Sequence, residues 1–210
     1  MATLVFKQGE KIVLIGDSIT SSGRMDDPEL IGNGYFRMIR DYYTLTVPEL
    51  DLQFFNKGIG GNRVSDLAAR WQKDVIDLQP DWVSISIGIN DVWRQLDNAG
   101  MEQIYPEQFE EIYRNILDRV QAETKAKLIL MEPTIIEEDI QSKGNELLIP
   151  YVAIVRKLAE TYNAKLVPTN QVFLEFLQKK SDFPLTTDGV HMTPAGNLLM
   201  AKTWIETITE

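Results

Sequence analysis

Lys11-Ile12-Val13-Leu14-Ile15-Gly16-Asp17-Ser18 decides the fold. Its first five residues are a short apolar run rich in β-branched side chains and without polar alternation, the pattern of a strand buried on both faces. Gly16-Asp17-Ser18 ends the run as a turn, which places Ser18 just past the carboxyl end of a strand. Two further runs end in the same way. Leu52 to Asn56 opens into Lys57-Gly58-Ile59-Gly60-Gly61-Asn62, and Trp82 to Ile87 opens into Gly88-Ile89-Asn90-Asp91. Lys127 to Met131 and Lys165 to Val167 supply a fourth and a fifth strand.

Amphipathic stretches over Tyr35 to Tyr43, Val64 to Leu78, Pro106 to Glu123 and Pro150 to Tyr162 separate these strands. Such alternation predicts an α/β fold: a parallel sheet with helices on both faces, right-handed crossovers, and a ligand site at the carboxyl ends of the strands near a switch in strand order. A last helix is expected from Thr193 as N-cap and Pro194 at its first position to about Ile208, which puts Asp188 and His191 on its approach loop. Thr3 to Phe6 reads as a small edge strand. The acidic segment Glu132 to Glu146 reads as a long solvated loop.

The 210 residues are 44% hydrophobic with no linker-like tract, so one domain spanning 1–210 is expected. A net charge of -10 argues against nucleic acid or an anionic membrane as partner and favours a neutral or cationic substrate, or a sugar. The absence of cysteine removes disulfides, thiolate metal sites and cysteine nucleophiles. The first residues lack a secretory pattern and no stretch approaches the ~20 apolar residues of a membrane span, so a cytoplasmic protein without stable membrane insertion is expected. Leu147, Leu148 and Ile149 suit an acyl pocket or a subunit interface equally, which leaves a homo-oligomer open.

His191 is the only histidine in the chain. Cleavage of an ester through an acyl-enzyme needs an activated hydroxyl, a neutral imidazole, a carboxylate to orient it, and donors for the oxyanion. Ser18 can attack, His191 can serve as base and then acid, and Asp188, three residues earlier, can accept the other imidazole N–H. The backbone N–H of Ser18, at a strand-to-helix turn, and that of Gly61, in a Gly-Gly pair, are candidate oxyanion donors. The side-chain amide of Asn90 is a neutral third. Taken singly these turns are ordinary; their convergence at strand ends fills every role of one mechanism. That mechanism calls for no cofactor and no metal.

The four segments Gly16-Asp17-Ser18-Ile19-Thr20, Asn56 to Asn62, Gly88-Ile89-Asn90-Asp91 and Asp188-Gly189-Val190-His191 resemble the four blocks of the GDSL-type, or SGNH, hydrolases, over nearly the whole length. The resemblance implies a three-layer α/β/α, flavodoxin-like fold with a five-stranded parallel sheet and a serine ester hydrolase. Carried over by position, it makes Ser18 the nucleophile, Ser18, Gly61 and Asn90 the oxyanion hole, and Asp188 and His191 the rest of the triad. Met192 departs from the proline or leucine of many relatives and is expected to affect local packing only. Asn62 to Val75 with Arg70-Trp71, Pro80 to Ile85, and Asp91-Val92-Trp93-Arg94-Gln95 resemble the intracellular bacterial carbohydrate acetylesterases of that family, which implies O-acetyl sugars as substrates.

Asp17, Trp93 and Arg94 are then candidate substrate-binding residues, the indole for a sugar face and the guanidinium for its oxygens. The plainer reading has Trp93 packed on a loop and Arg94 paired with Asp91 or Asp97. The segments 92–106 and 132–149 are expected to wall the pocket. A lysophospholipase or short-chain thioesterase is the alternative within the family. From other classes come a metal-dependent phosphoesterase built on Asp17, Asn90, Asp91, Asp188 and His191, and a non-catalytic carbohydrate-binding module. The other α/β-hydrolase type is disfavoured because Thr20 stands where the second glycine of Gly-x-Ser-x-Gly belongs.

Overall fold

A computed structural model describes residues 5–98, 100–180 and 183–209. Five strands, β1 (Lys11–Gly16), β2 (Gln53–Gly58), β3 (Trp82–Ser86), β4 (Lys127–Met131) and β5 (Lys165–Val167), form one parallel sheet in the order β2-β1-β3-β4-β5. The helices are α1 (Ser18–Ser21), α2 (Tyr35–Thr46), α3 (Val64–Asp74), α4 (Ile89–Asp97), α5 (Pro106–Glu123), α6 (Lys143–Thr161), α7 (Thr169–Lys179) and α8 (Pro194–Thr209). The expected α/β class and five-stranded parallel sheet are what the chain forms.

Strand order explains the layers. The chain steps from β1 outward to β2, returns across β1 to β3, and continues to β4 and β5. Right-handed crossovers therefore put α2 on one face and α3, α5 and α6 on the other. Packing agrees: α2 lies on α8, and α5 contacts both α3 and α6. The direction reverses between β1 and β3, whose carboxyl ends diverge into a crevice where doubly wound sheets hold their ligands. Ser18 follows one of these strands and Asn90 the other.

Central strands carry apolar side chains on both faces because both are covered; Ile12 to Ile15 in β1 and Val83 and Ile85 in β3 are fully buried. Gly16 is required where β1 meets α1, since a Cβ there would lie 2.3 Å from the Ser86 carbonyl and 2.4 Å from Thr20 Oγ1. At the opposite end of the sheet Phe6 packs edge-on to Tyr43 and Trp82, at 5.1 and 5.2 Å between ring centroids.

Four expectations change. Val5 and Phe6 are not in a strand, and Thr3 and Leu4 lie outside the described residues. α6 starts at Lys143, not Pro150. Ser142 caps it, accepting the Asn145 N–H, and Pro150 sits inside the helix. Glu132 to Glu146 is not a solvated loop. Glu132 through Ile136 are buried, the Glu132 carboxylate accepting from Arg156 Nε (2.6 Å) and Gln171 N (3.1 Å). α7 lies on residues for which no element was expected.

Candidate active site

Asp17 caps the single turn of α1, its Oδ1 accepting the Ile19 N–H at 2.9 Å. The cap takes up the Ile19 amide, not that of Ser18. Asp17 itself is 1% exposed, so its expected role in binding substrate is corrected to that of a cap. Burial pushes its carboxyl up to about 6, against the Ile19 amide and His191, which favour the charged form.

Across 173 residues of sequence, His191 Nε2 stands 2.9 Å from Ser18 Oγ, and Nδ1 stands 2.7 Å from Asp188 Oδ2. The other carboxylate oxygen, Oδ1, accepts the backbone N–H groups of His191 (2.8 Å) and Val190 (3.1 Å). Partial burial opposes the charge on Asp188, but these amides and the imidazole outweigh it and hold the carboxyl below its ordinary range. A hydroxyl, an imidazole and a carboxylate therefore stand in one line of hydrogen bonds.

The Ile59–Asn62 turn approaches from β2. Gly61 takes φ +77°, and no atom lies within 4 Å of where its Cβ would sit, so backbone conformation rather than space calls for glycine there. A Cβ on Gly60 would lie 3.9 Å from Ser18 Cβ, a measure of how near this turn runs to the hydroxyl. Asn90 Nδ2 donates to the Asn62 carbonyl at 3.1 Å, and its Oδ1 accepts from Arg94 at 3.4 Å. One of the two Nδ2 hydrogens remains for a ligand. Below it, Asp91 accepts the Val64 N–H at 3.1 Å and is fully buried, which raises its carboxyl to about 7.

Trp93 meets the His191 ring edge-on at 6.0 Å, and the Arg94 guanidinium lies 4.8 Å from the indole centroid while pairing with Asp97. Both residues are beside the site, and the Arg94–Asp97 pair of the plainer reading is present as well. An open cavity of about 420 Å³ leads to Ser18 and His191, lined also by Ile19, Ser21, Ser22, Gly23, Gly60, Met192 and Asn197. Met192 thus faces the cavity, which corrects the expectation that it affects packing only. Among the described residues none of 92–106 or 132–149 lines this cavity, although Trp93 stands beside it against His191, so the expected walls are corrected to that one neighbour. Ile149, 65% exposed, faces a separate groove of about 650 Å³ between α6 and α7 that contains neither Ser18 nor His191.

Sequence reasoning missed Arg70 as a tie beneath the site. It donates to the carbonyls of Gly16 (3.0 Å) and Lys57 (2.8 Å) and to Asn62 Oδ1 (2.8 Å). Its carbonyl partners Lys57 and Gly16 lie 13 and 54 residues away, and only the resemblance had drawn attention to Arg70-Trp71.

The GDSL-like Lipase/Acylhydrolase family matches residues 14–199 of this sequence. The chain belongs to that family. An acetylxylan esterase of Geobacillus stearothermophilus is 38% identical over 208 residues, covering 95% of this chain and 94% of the relative. The crystal structure of Axe2, an acetylxylan esterase from Geobacillus stearothermophilus, matches with a TM-score of 0.89 at 37% identity, over 96% of this chain and 95% of that one. LAE5, an α/β hydrolase enzyme from the metagenome of Lake Arreo, Spain, matches with a TM-score of 0.91 at 34% identity, over 98% and 97%. Structures exist of catalytic mutants of Axe2 in which an aspartate, a serine or a histidine is replaced by alanine. As a GDSL-family member this chain is a carboxylic ester hydrolase. Among the described residues no helix is long and apolar enough to cross a membrane.

Proposed function

We propose that this hydrolase removes acetyl groups from O-acetylated carbohydrates, with Ser18 as nucleophile, His191 as general base and acid, Asp188 as its orienting carboxylate, and Ser18 N, Gly61 N and Asn90 Nδ2 as oxyanion donors. The observation that carries it is the unbroken line Ser18 Oγ, His191 Nε2, His191 Nδ1, Asp188 Oδ2, at 2.9 and 2.7 Å. Ser18 Oγ attacks the acetyl carbonyl carbon as its proton passes to Nε2. The tetrahedral oxyanion rests on the three donors, and Nε2 then protonates the departing sugar oxygen, leaving acetyl-Ser18. Water attacks this ester, its proton going to Nε2 and back to Ser18 Oγ as acetate leaves. Asp188 accepts the Nδ1–H throughout and stabilises the imidazolium.

One feature favours a sugar over a lipid. Trp93 beside His191 supplies an aromatic surface of the kind sugars stack on. The relative named as an acetylxylan esterase supports the same substrate class. Acetylated xylo-oligosaccharides, a lysophospholipid and an acyl-CoA assayed side by side test it. The expected result is preferential hydrolysis of the acetylated sugar, abolished in Ser18→Ala. Preference for the lysophospholipid or the thioester overturns the assignment.

A further inference from the structure

The side chains of His191 and Asp188 are 40% and 48% exposed, so close packing does not hold them in line with Ser18. The loop that carries them is internally braced. Thr187 N donates to the His191 carbonyl at 2.8 Å, Gly189 N to Thr186 Oγ1 at 3.0 Å, and Thr186 pairs with Met192 in an antiparallel bridge. These bonds set the loop's shape. Its placement comes partly from Thr193, just before α8, whose N–H donates to the Leu185 carbonyl at 2.9 Å, and otherwise from the segment between β4 and α6.

In that segment one oxygen, Glu138 Oε1, accepts three donors of the loop: Leu185 N at 3.1 Å, Thr186 N at 2.7 Å and Thr186 Oγ1 at 2.7 Å. Next to it Glu137 N donates to the Gly189 carbonyl at 2.7 Å. The segment is itself anchored to α6. Asn145 Oδ1 accepts from Ile136 N (3.0 Å), Asn145 Nδ2 donates to the Asp139 carbonyl (2.8 Å), and Ser142 Oγ donates to the Ile136 carbonyl (2.7 Å). Hydrogen bonds from α6 and its cap thus hold the residues on either side of Glu138, and Glu138 holds the loop bearing Asp188 and His191.

We propose that Glu138 is a positioning residue for the esterase reaction: its carboxylate fixes Leu185-Thr186 so that the Asp188–His191 pair stays in register with Ser18. This rests on the roles proposed for Ser18, His191 and Asp188. Glu138 acts through the loop and contacts neither substrate nor reacting atoms. The charge matters because three donors converge on one oxygen, and charge-assisted bonds are roughly twice as strong as neutral ones. An amide oxygen has the same two lone pairs as one carboxylate oxygen but no charge, so it holds the same three donors more weakly.

The test measures kcat and KM on p-nitrophenyl acetate for Glu138→Ala, Glu138→Gln, Thr186→Val and Thr186→Ser. Reactive sites are counted by titrating each variant to completion with a fluorophosphonate. Glu138→Ala is expected to lower kcat per titrated site about 10- to 100-fold, the scale on which a misplaced catalytic group loses turnover, with KM within about twofold. Glu138→Gln is expected to recover to within about fivefold of wild type. Wild-type turnover per titrated site in Glu138→Ala, whatever its melting temperature, overturns the proposal. Should Glu138→Ala not fold, Thr186→Val lowers per-site kcat and Thr186→Ser restores it; equal values for the two overturn the proposal. Ser18→Ala runs alongside: wild-type turnover there sinks the serine mechanism itself, a failure separate from that of Glu138.

Discussion

Replacing Asp188 by asparagine changes one oxygen into an NH2 group, and the loop dictates which one. Oδ1 accepts the backbone N–H groups of His191 at 2.8 Å and Val190 at 3.1 Å, so the asparagine carbonyl has to remain there; turned around, its NH2 would face two donors. The NH2 then takes the place of Oδ2, 2.7 Å from His191 Nδ1. A donor facing Nδ1 favours the tautomer with its lone pair on Nδ1 and its proton on Nε2. Nε2 lies 2.9 Å from Ser18 Oγ and, carrying that proton, no longer accepts one. The same substitution in serine-protease triads costs ~10⁴ in turnover, about 5.4 kcal/mol of activation free energy, and that loss is expected here. Folding should change little, because both amide bonds survive and a half-exposed charge contributes less than about 1 kcal/mol. Steady-state hydrolysis of p-nitrophenyl acetate, paired with thermal melting by circular dichroism, measures both quantities. Turnover within tenfold of wild type in a folded Asp188→Asn protein would refute the tautomer argument.

Removing the Asn90 amide as Asn90→Ala should lower kcat ~100- to 1,000-fold, the usual loss for one oxyanion donor, as read on p-nitrophenyl acetate. Trp93→Ala should raise KM for acetylated xylo-oligosaccharides about fivefold, the worth of roughly 1 kcal/mol of aromatic contact, while leaving kcat on p-nitrophenyl acetate within about threefold. Equal KM values would remove Trp93 from the sugar site. Asp17 and Asp91 make stability depend on pH in a defined direction. Burial raises their carboxyls from 3.8 to about 6 and about 7, so above pH 4 the unfolded chain releases protons that the native protein keeps. Unfolding free energy should therefore fall as pH rises from about 4 to about 7, by on the order of 3 kcal/mol per carboxyl, and Asp91→Asn should flatten that slope in urea titrations.

Much of this molecule is legible in local pattern. Lys127–Met131 and Lys165–Val167 are strands with the bounds read from their apolar runs, and β1 ends at Gly16 as its turn residues require. The single histidine, the aspartate three residues before it and the strand-end turns identified the groups that meet. What escaped depends on partners far along the chain. Glu132 looks solvated in an acidic segment, yet Arg156 and Gln171 make its burial tolerable. Pro150 mimics a helix start, while the real start is the less conspicuous Ser142 cap, eight residues earlier. Asp17 looks available beside Ser18, but a one-turn helix consumes its carboxylate. Glu138 gives no local signal at all, since its three donors lie 47 and 48 residues away.

The central claim is that Ser18 Oγ becomes acylated with His191 as its base. Rapid quenching of the enzyme during hydrolysis of p-nitrophenyl acetate, followed by peptide mass spectrometry, measures this directly. An acetyl adduct on the peptide containing Ser18, absent in His191→Ala, is the predicted result. An adduct on another residue, or one that forms as quickly without the imidazole, would contradict it.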